Sequence, residues 1–365
     1  MFSTFLPAQS QQTPPVLAAK SWVLLEYSSG QVLASQNADQ RLEPASLTKL
    51  MTAYITFSAL RQKRLALEDA VPVSEKAWRM GGSRMFIKVG DKVRVEDLIQ
   101  GMIVQSGNDA SVALAEAIAG DETRFVTMMN QEAARLGLSS TRFRNATGMP
   151  DPEHLATASD LARLASALIR DFPEEYARYY SLREFRYNNI TQANRNRLLA
   201  LDASVDGVKT GSTEAAGFCL IASAQRGGRR LLSVVLGTAS EAARTQESLK
   251  LLNWGYQAFD AVRLYAAHAP ISTFKVWKGN VSEVPVGLDH DLIIAVPRGR
   301  EDTLKAELVS RQPLIAPVQA GEHIGTLKLS LDGKPYGEYP VKPLEPVRIG
   351  GWFRRLIDTI RLWFA

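Results

Sequence analysis

Three short runs hold residue types that perform acyl chemistry. Ser46-Leu47-Thr48-Lys49 sets a hydroxyl and an amine three positions apart, and on a helix such positions share a face. A serine hydroxyl is a poor nucleophile until a base takes its proton. A lysine serves as that base when burial or a second cation lowers its pKa. In the first turn of a helix, Ser46 also meets free backbone N–H groups and the positive end of the dipole, which favour a developing oxyanion. Ser106-Gly107-Asn108 precedes a helix starting near Asp109. Ser106 can relay a proton and Asn108 can orient a substrate amide, although the same run also reads as a plain loop and helix N-cap. Lys209-Thr210-Gly211-Ser212 follows Val205-Asp206-Gly207-Val208. A cation beside a hydroxyl suits a substrate carboxylate. Gly211 permits close backbone approach, so the Ser212 N–H can act as an oxyanion donor. Each run alone is a weak signal; all three in this order are a strong one.

Other chemistries are poorly supplied. Cys219 is the single cysteine and lies in an apolar run, Phe218-Cys219-Leu220-Ile221, so it reads as a small buried hydrophobe. His154, His268, His290 and His323 are far apart, without the spacing of a zinc site. The 365 residues carry 43 Lys plus Arg against 38 Asp plus Glu, a net charge of +5. No dense basic stripe argues for nucleic acid. Apolar residues make up 45% and charged residues 22%, which excludes disorder and fibrous repeats and, at this length, favours two domains.

The elements that must position these residues follow from periodicity. Trp22–Tyr27 and Val32–Ala34 read as a hairpin turned by Ser28-Ser29-Gly30. Helical spacing is expected over Ser46–Leu60, Val95–Val104, Asn108–Ala119, Glu122–Leu136, Ala158–Ile169 and Thr245–Phe259, with strands at Gly217–Ser223 and Leu231–Leu236. Helices flanked at both ends by antiparallel strands indicate an α/β layer built on one sheet. After about Asp260 the texture becomes short alternating strands punctuated by Gly, Pro and Asp, expected to form a small all-β domain. The expected division is a lead-in or processing stump at 1–16, a catalytic domain at 17–259, the β domain at 260–348 and a terminal helix at 349–365.

No run of eighteen apolar residues occurs, so no helix is expected to span a membrane. The terminal stretch is different in kind. At 100° per residue Trp352, Phe353, Leu356, Ile357, Ile360, Trp363 and Phe364 fall within an arc of about 140°, opposite Arg354, Arg355, Asp358 and Arg361, with Leu362 misplaced. A helix with Trp near both ends and a basic face fits one lying in a membrane interface; the alternative is a helix docked on the β domain.

Ser-x-x-Lys, Ser-x-Asn and Lys-Thr-Gly in this order are the motif set of penicillin-binding proteins and β-lactamases. The chain resembles the low-molecular-mass D-alanyl-D-alanine carboxypeptidases of the penicillin-binding protein 5 and 6 type. The resemblance extends through Pro44–Thr52, Gln105–Ala110, Asn194-Arg195-Asn196, Val205–Gly211 and Val296-Pro297-Arg298-Gly299, and covers nearly the whole chain.

The resemblance implies an α/β (α+β) transpeptidase-like domain with an antiparallel sheet and a helical subdomain, followed by a small all-β domain and a C-terminal amphipathic helix. It implies a peptidoglycan pentapeptide ending in D-Ala-D-Ala as substrate and β-lactams as covalent inhibitors, with no metal or organic cofactor. Ser46 is then the nucleophile, Lys49 its base, Ser106 the proton relay and Asn108 the amide holder. Lys209, Thr210, Arg244 and, by position, Arg195 serve the terminal carboxylate, with Gly211 and Ser212 at the oxyanion. The implied location is the periplasm, at the inner membrane through residues 350–365. Many relatives carry His where this chain has Ser212, which leaves the backbone N–H in place. A β-lactamase needs a glutamate over the acyl ester; Glu153 lies in Thr147–His154 but outside a Glu-x-x-x-Asn pattern. The competing readings are a DD-endopeptidase using the same site, a β-lactamase, and a non-catalytic wall-binding or shape-maintaining protein.

Overall fold

The computed structural model describes residues 13–363. Most of the expected lead-in, and Phe364 of the amphipathic arc, lie outside the described residues. The chain divides into two compact units. One consists of Thr13–Tyr27 and Val32–Tyr256; the described part of the other consists of Ser28–Gln31 and 257–363.

The first unit is built on an antiparallel sheet of β1 (Ser21–Glu26), β2 (Val32–Gln36), β3 (Val205–Thr213), β4 (Gly217–Arg226) and β5 (Arg229–Thr238), in the order β2-β1-β5-β4-β3. Leu231, Leu232, Val234, Val235 and Leu236 are all buried, so central β5 is apolar on both faces. A strand covered on both sides reads as a continuous apolar run rather than an alternation. Helix Ala158–Asp171 packs against β1 and β5. On helix Glu241–Ala258, a Cβ added at Gly255 would lie 2.5 Å from Leu24 Cδ2 and 2.8 Å from Leu231 Cδ1, so Gly255 lets that helix approach the sheet closely.

Helices α1 (Lys49–Arg61), α2 (Val95–Val104) and α3 (Asn108–Ala119) form the helical part of the core. On α1 every residue from Lys49 to Phe57 is buried. The helix expected over Ser46–Leu60 is two elements: a 3-10 turn at Ala45–Thr48 and then α1. Ala45 has φ +47, so a regular helix cannot continue backward through it. Edge strand β3 lies against this turn. A Cβ at Gly211 would come within 3.0 Å of Ser46 N and 3.1 Å of Leu47 N.

The second unit pairs Phe259–Tyr265 with Leu292–Pro297 and forms a five-stranded antiparallel sheet from Ser272–Lys275, Glu283–Gly287, Lys334–Pro343, Gly325–Leu331 and Leu304–Ser310, in that spatial order. Leu327, Leu329 and Leu331 are buried at alternate positions, as a one-faced strand requires. Lys334–Pro343 carries Pro335, Pro340 and Pro343, residues that weaken a strand signal. Its outer side meets Glu283–Gly287 only at Val286↔Pro343 and Gly287↔Lys342, so Pro335 and Pro340 lie where that side is unpaired.

The terminal helix Trp352–Leu362 rests on this unit through its polar side. Asp358, 8% exposed, accepts from Lys278 N at 2.7 Å, and Arg354 Nη1 donates to Asn280 O at 3.2 Å. Trp352, Phe353, Leu356, Ile360 and Trp363 are exposed. Leu362, the misplaced apolar residue, is partly buried. Among the described residues no helix is long and apolar enough to cross a membrane.

Candidate active site

The 3-10 turn and the first residue of α1 place Ser46 and Lys49 side by side. Lys49 Nζ donates to Ser46 Oγ at 3.0 Å, to Asn108 Oδ1 at 2.7 Å and to Thr147 O at 2.6 Å. Two of these acceptors are carbonyl oxygens, which cannot donate in return; the third is a hydroxyl, which can. When Lys49 loses a proton, the lone pair therefore settles toward Ser46, while the other two N–H groups keep their partners. Lys49 is 1% exposed. Its pKa is pushed down to about 7, chiefly by burial and further by the Arg195 charge, with Asp109 acting in the opposite direction.

Ser106 stands at φ +64 just ahead of α3, and its Oγ accepts from Lys209 Nζ at 2.8 Å. Lys209 also donates to Thr210 O at 2.9 Å. Burial, and then the charges of Lys49, Arg195 and Arg244, hold Lys209 well below the usual lysine range. Thr210 is buried and Ser212 is exposed at the strand edge. Gly211, the residue before Ser212 on β3, lies against the backbone at Ser46, where a Cβ on it would come within 3.0 Å of Ser46 N.

Arg244 is 3% exposed on helix Glu241–Ala258. Its Nη2 donates to Arg195 O at 3.5 Å and Glu241 Oε1 at 3.2 Å, and its guanidinium lies over the Phe218 ring. Arg195 itself is exposed. Lys49, Lys209, Arg195 and Arg244 thus give the site an excess of positive charge suited to an anionic group. A cavity of about 860 Å³ opens beside Ser212, lined by Lys20, Glu214, Phe218 and Thr238; it lies to one side of the Ser46–Lys49 pair. Glu153 is exposed and faces Arg142 and Arg144 at 3.7 and 3.6 Å.

Four residues in the site had no motif to mark them. Asp109 accepts from Met85 N, Phe86 N, Ile87 N and Ala110 N, while Asn108 Nδ2 donates to Gly81 O and Asn108 Oδ1 accepts from Lys49 Nζ. Together they tie the stretch 81–87 to the start of α3. Asn145 Oδ1 accepts from Thr147 N, Gly148 N and Met149 N, which turns Thr147 O toward Lys49. His154 is bonded to Thr48. The signal that could have found Asn145 is the turn chemistry of Asn145-Ala146-Thr147-Gly148; a contact made by a main-chain carbonyl leaves no trace in residue type.

The sequence pattern of a family described as D-alanyl-D-alanine carboxypeptidase matches residues 8–240, and that of the penicillin-binding protein 5 C-terminal domain matches 259–348. The D-alanyl-D-alanine carboxypeptidase DacC of Escherichia coli is 43% identical, covering 99% of this chain and 92% of the relative. The DacF carboxypeptidase of Bacillus subtilis is 36% identical, covering 94% and 90%. Penicillin-binding protein 5 of Haemophilus influenzae superposes with a TM-score of 0.90 at 40% identity, covering 92% of this chain and 99% of that one. Penicillin-binding protein D2 of Listeria monocytogenes, solved in its ampicillin-bound form, gives 0.62 at 31% identity, covering 67% and 100%.

Proposed function

Since the chain belongs to the D-alanyl-D-alanine carboxypeptidase family, we propose that Ser46 is its acylated nucleophile and Lys49 the base that deprotonates it. The activity is that of a serine-type D-Ala-D-Ala carboxypeptidase, a hydrolase and penicillin-binding protein. The observation that carries the residue assignment is the buried Lys49 amine, 3.0 Å from Ser46 Oγ and held by two carbonyl oxygens on its other sides.

The steps follow from that placement. Lys49 takes the Ser46 proton as Oγ bonds to the carbonyl carbon of the penultimate D-alanine. The carbonyl oxygen becomes an oxyanion between the N–H groups of Ser46 and Ser212. The C–N bond then breaks, and the proton that Lys49 took returns through Ser106, whose hydroxyl passes its own proton to the departing D-alanine nitrogen as it receives the one from Lys49. Asn108 holds the substrate amide. Lys209, Thr210, Arg244 and Arg195 hold the terminal carboxylate, whose charge offsets theirs. Water gives a proton to Lys49 as its oxygen bonds to the ester carbon, and Lys49 returns that proton to Ser46 Oγ as the ester C–O bond breaks, freeing the shortened stem. A β-lactam opens on the same serine.

The chain is further inferred to act in the periplasm, attached to the inner membrane through residues 350–365. The support is the exposed apolar face of the terminal helix, with Trp352 and Trp363 near its ends and Arg355 and Arg361 exposed beside it.

An intact-mass time course with excess benzylpenicillin tests the assignment. A one-to-one adduct mapping to Ser46, lost in Ser46→Ala, is expected. An adduct elsewhere, or an undiminished adduct in the variant, would overturn it.

A further inference from the structure

The general base is held by a loop as well as by its helix, and that loop is fastened by a histidine. His154 is 2% exposed. Its Nδ1 accepts from Arg144 N at 3.3 Å. A backbone N–H can only donate, so Nδ1 carries the lone pair and the neutral ring carries its proton on Nε2. Nε2 lies 2.9 Å from Thr48 Oγ1, so the ring donates to the hydroxyl of the residue directly before Lys49. Phe143 packs edge-on against the ring, with centroids 5.7 Å apart.

The loop 144–154 is pressed closely onto the nucleophile turn. A Cβ at Gly148 would lie 1.8 Å from Ala45 O and 2.9 Å from Thr48 Oγ1. Thr52 Oγ1 donates to Ala146 O at 2.7 Å. Between these contacts Thr147 O meets Lys49 Nζ. The His154–Thr48 bond ties the far end of the loop to the same turn of chain.

We propose that His154 is a positioning residue: by bonding Thr48 it holds loop 144–154 closed over Lys49, keeping Thr147 O on the amine and water away from it. The proposal rests on the assignment of Lys49 as base. Burial is the largest cause of the lowered Lys49 pKa, so a loosened loop readmits water and lets that pKa rise. The charged groups facing His154 are Asp151, Lys49 and Arg144. Burial outweighs the attraction of Asp151 and holds the ring down to about 4, so it stays neutral across the working range and the bond to Thr48 is not itself titrated there.

The test is the pH profile of the second-order acylation rate constant with benzylpenicillin. His154→Ala is expected to lower that constant roughly tenfold at neutral pH and to move the midpoint of the acid limb upward by about half a unit or more. His154→Gln, which retains a donor for Thr48, is expected to recover most of both. Thr48→Val removes the other end of the bond with little change of shape; it is expected to give the same upward shift, and the Thr48→Val/His154→Ala double variant no further one. Thr48→Val also serves if His154→Ala does not fold. An unmoved midpoint in the folded variants, or a loss uniform across pH that Gln does not recover, overturns the proposal. Failure of the underlying assignment is distinguishable: Lys49→Met would then acylate at an undiminished rate.

Discussion

Lys209 Nζ donates to Ser106 Oγ at 2.8 Å, across 103 residues of sequence. The contact joins the edge strand to the loop ahead of α3 and leaves the Ser106 hydroxyl hydrogen free to turn toward a leaving group. It is formed by a lysine that is 3% exposed and crowded by other cations.

Lys209→Met is therefore expected to divide two properties. On diacetyl-Lys-D-Ala-D-Ala, kcat/KM should fall by about 10²-fold or more, because carboxylate capture and the Ser106 orientation are lost together. The melting temperature should rise by a few degrees (about 2–5 °C), because a charge held out of water is replaced by an apolar chain of similar length. Steady-state kinetics and calorimetry on the same sample check both.

The rate of acylation should rise with pH through about 7, as Lys49 loses its proton and can accept that of Ser46. It should fall again below the usual lysine range as Lys209 discharges. The same shift has a sign in stability. Between about 7 and 10.5 the unfolded chain holds a proton on this lysine that the folded chain does not, so raising pH across that window favours folding. The cost is present in full below it. In Lys49→Met this contribution to the pH dependence of urea unfolding should disappear.

Gly148→Ala should destabilise the protein by at least about 2 kcal/mol. Gly148 has φ +84, and the added Cβ would fall 1.8 Å from Ala45 O, a backbone atom that cannot step aside without moving Ser46. Urea titration reads the stability, and the penicillin acylation rate should fall with it.

Deleting residues 350–365 should move the protein from the membrane pellet to the supernatant. A subtler change is Asp358→Ala. Lys278 N–H loses its acceptor, and hydrogen exchange at that amide should accelerate by about tenfold or more, since an unmade buried hydrogen bond costs about 1–3 kcal/mol.

Much of this site was legible in the sequence because its side chains act by type. Ser46, Lys49, Ser106, Asn108 and Lys209 announce themselves as hydroxyl, amine, hydroxyl, amide and cation, and the structure bonds Lys49 to Ser46 and Asn108 and Lys209 to Ser106. The helices Val95–Val104 and Asn108–Ala119 could be read from their apolar period. What escaped was contributed by the main chain or by shape. Thr147 acts through a carbonyl, Gly148 through the side chain it lacks, and Ala45 through a positive φ that no alanine advertises. His154 read as a stray histidine because its partner, Thr48, is 106 residues away. The hairpin Glu184–Tyr187 with Ile190–Ala193 was missed because its strands are too short to show an alternation.

The approach of Gly211 to Ser46 N carries a practical consequence. Ser46, the acceptors of the Lys49 amine and Ser212 come from stretches of chain that only the complete fold brings within reach. On the proposed roles, a partly folded molecule holds Ser46 but has nothing to activate it. The fraction of molecules that take up a fluorescent penicillin in a brief pulse is then a direct count of native protein, readable on a gel in a crude extract and against any denaturant.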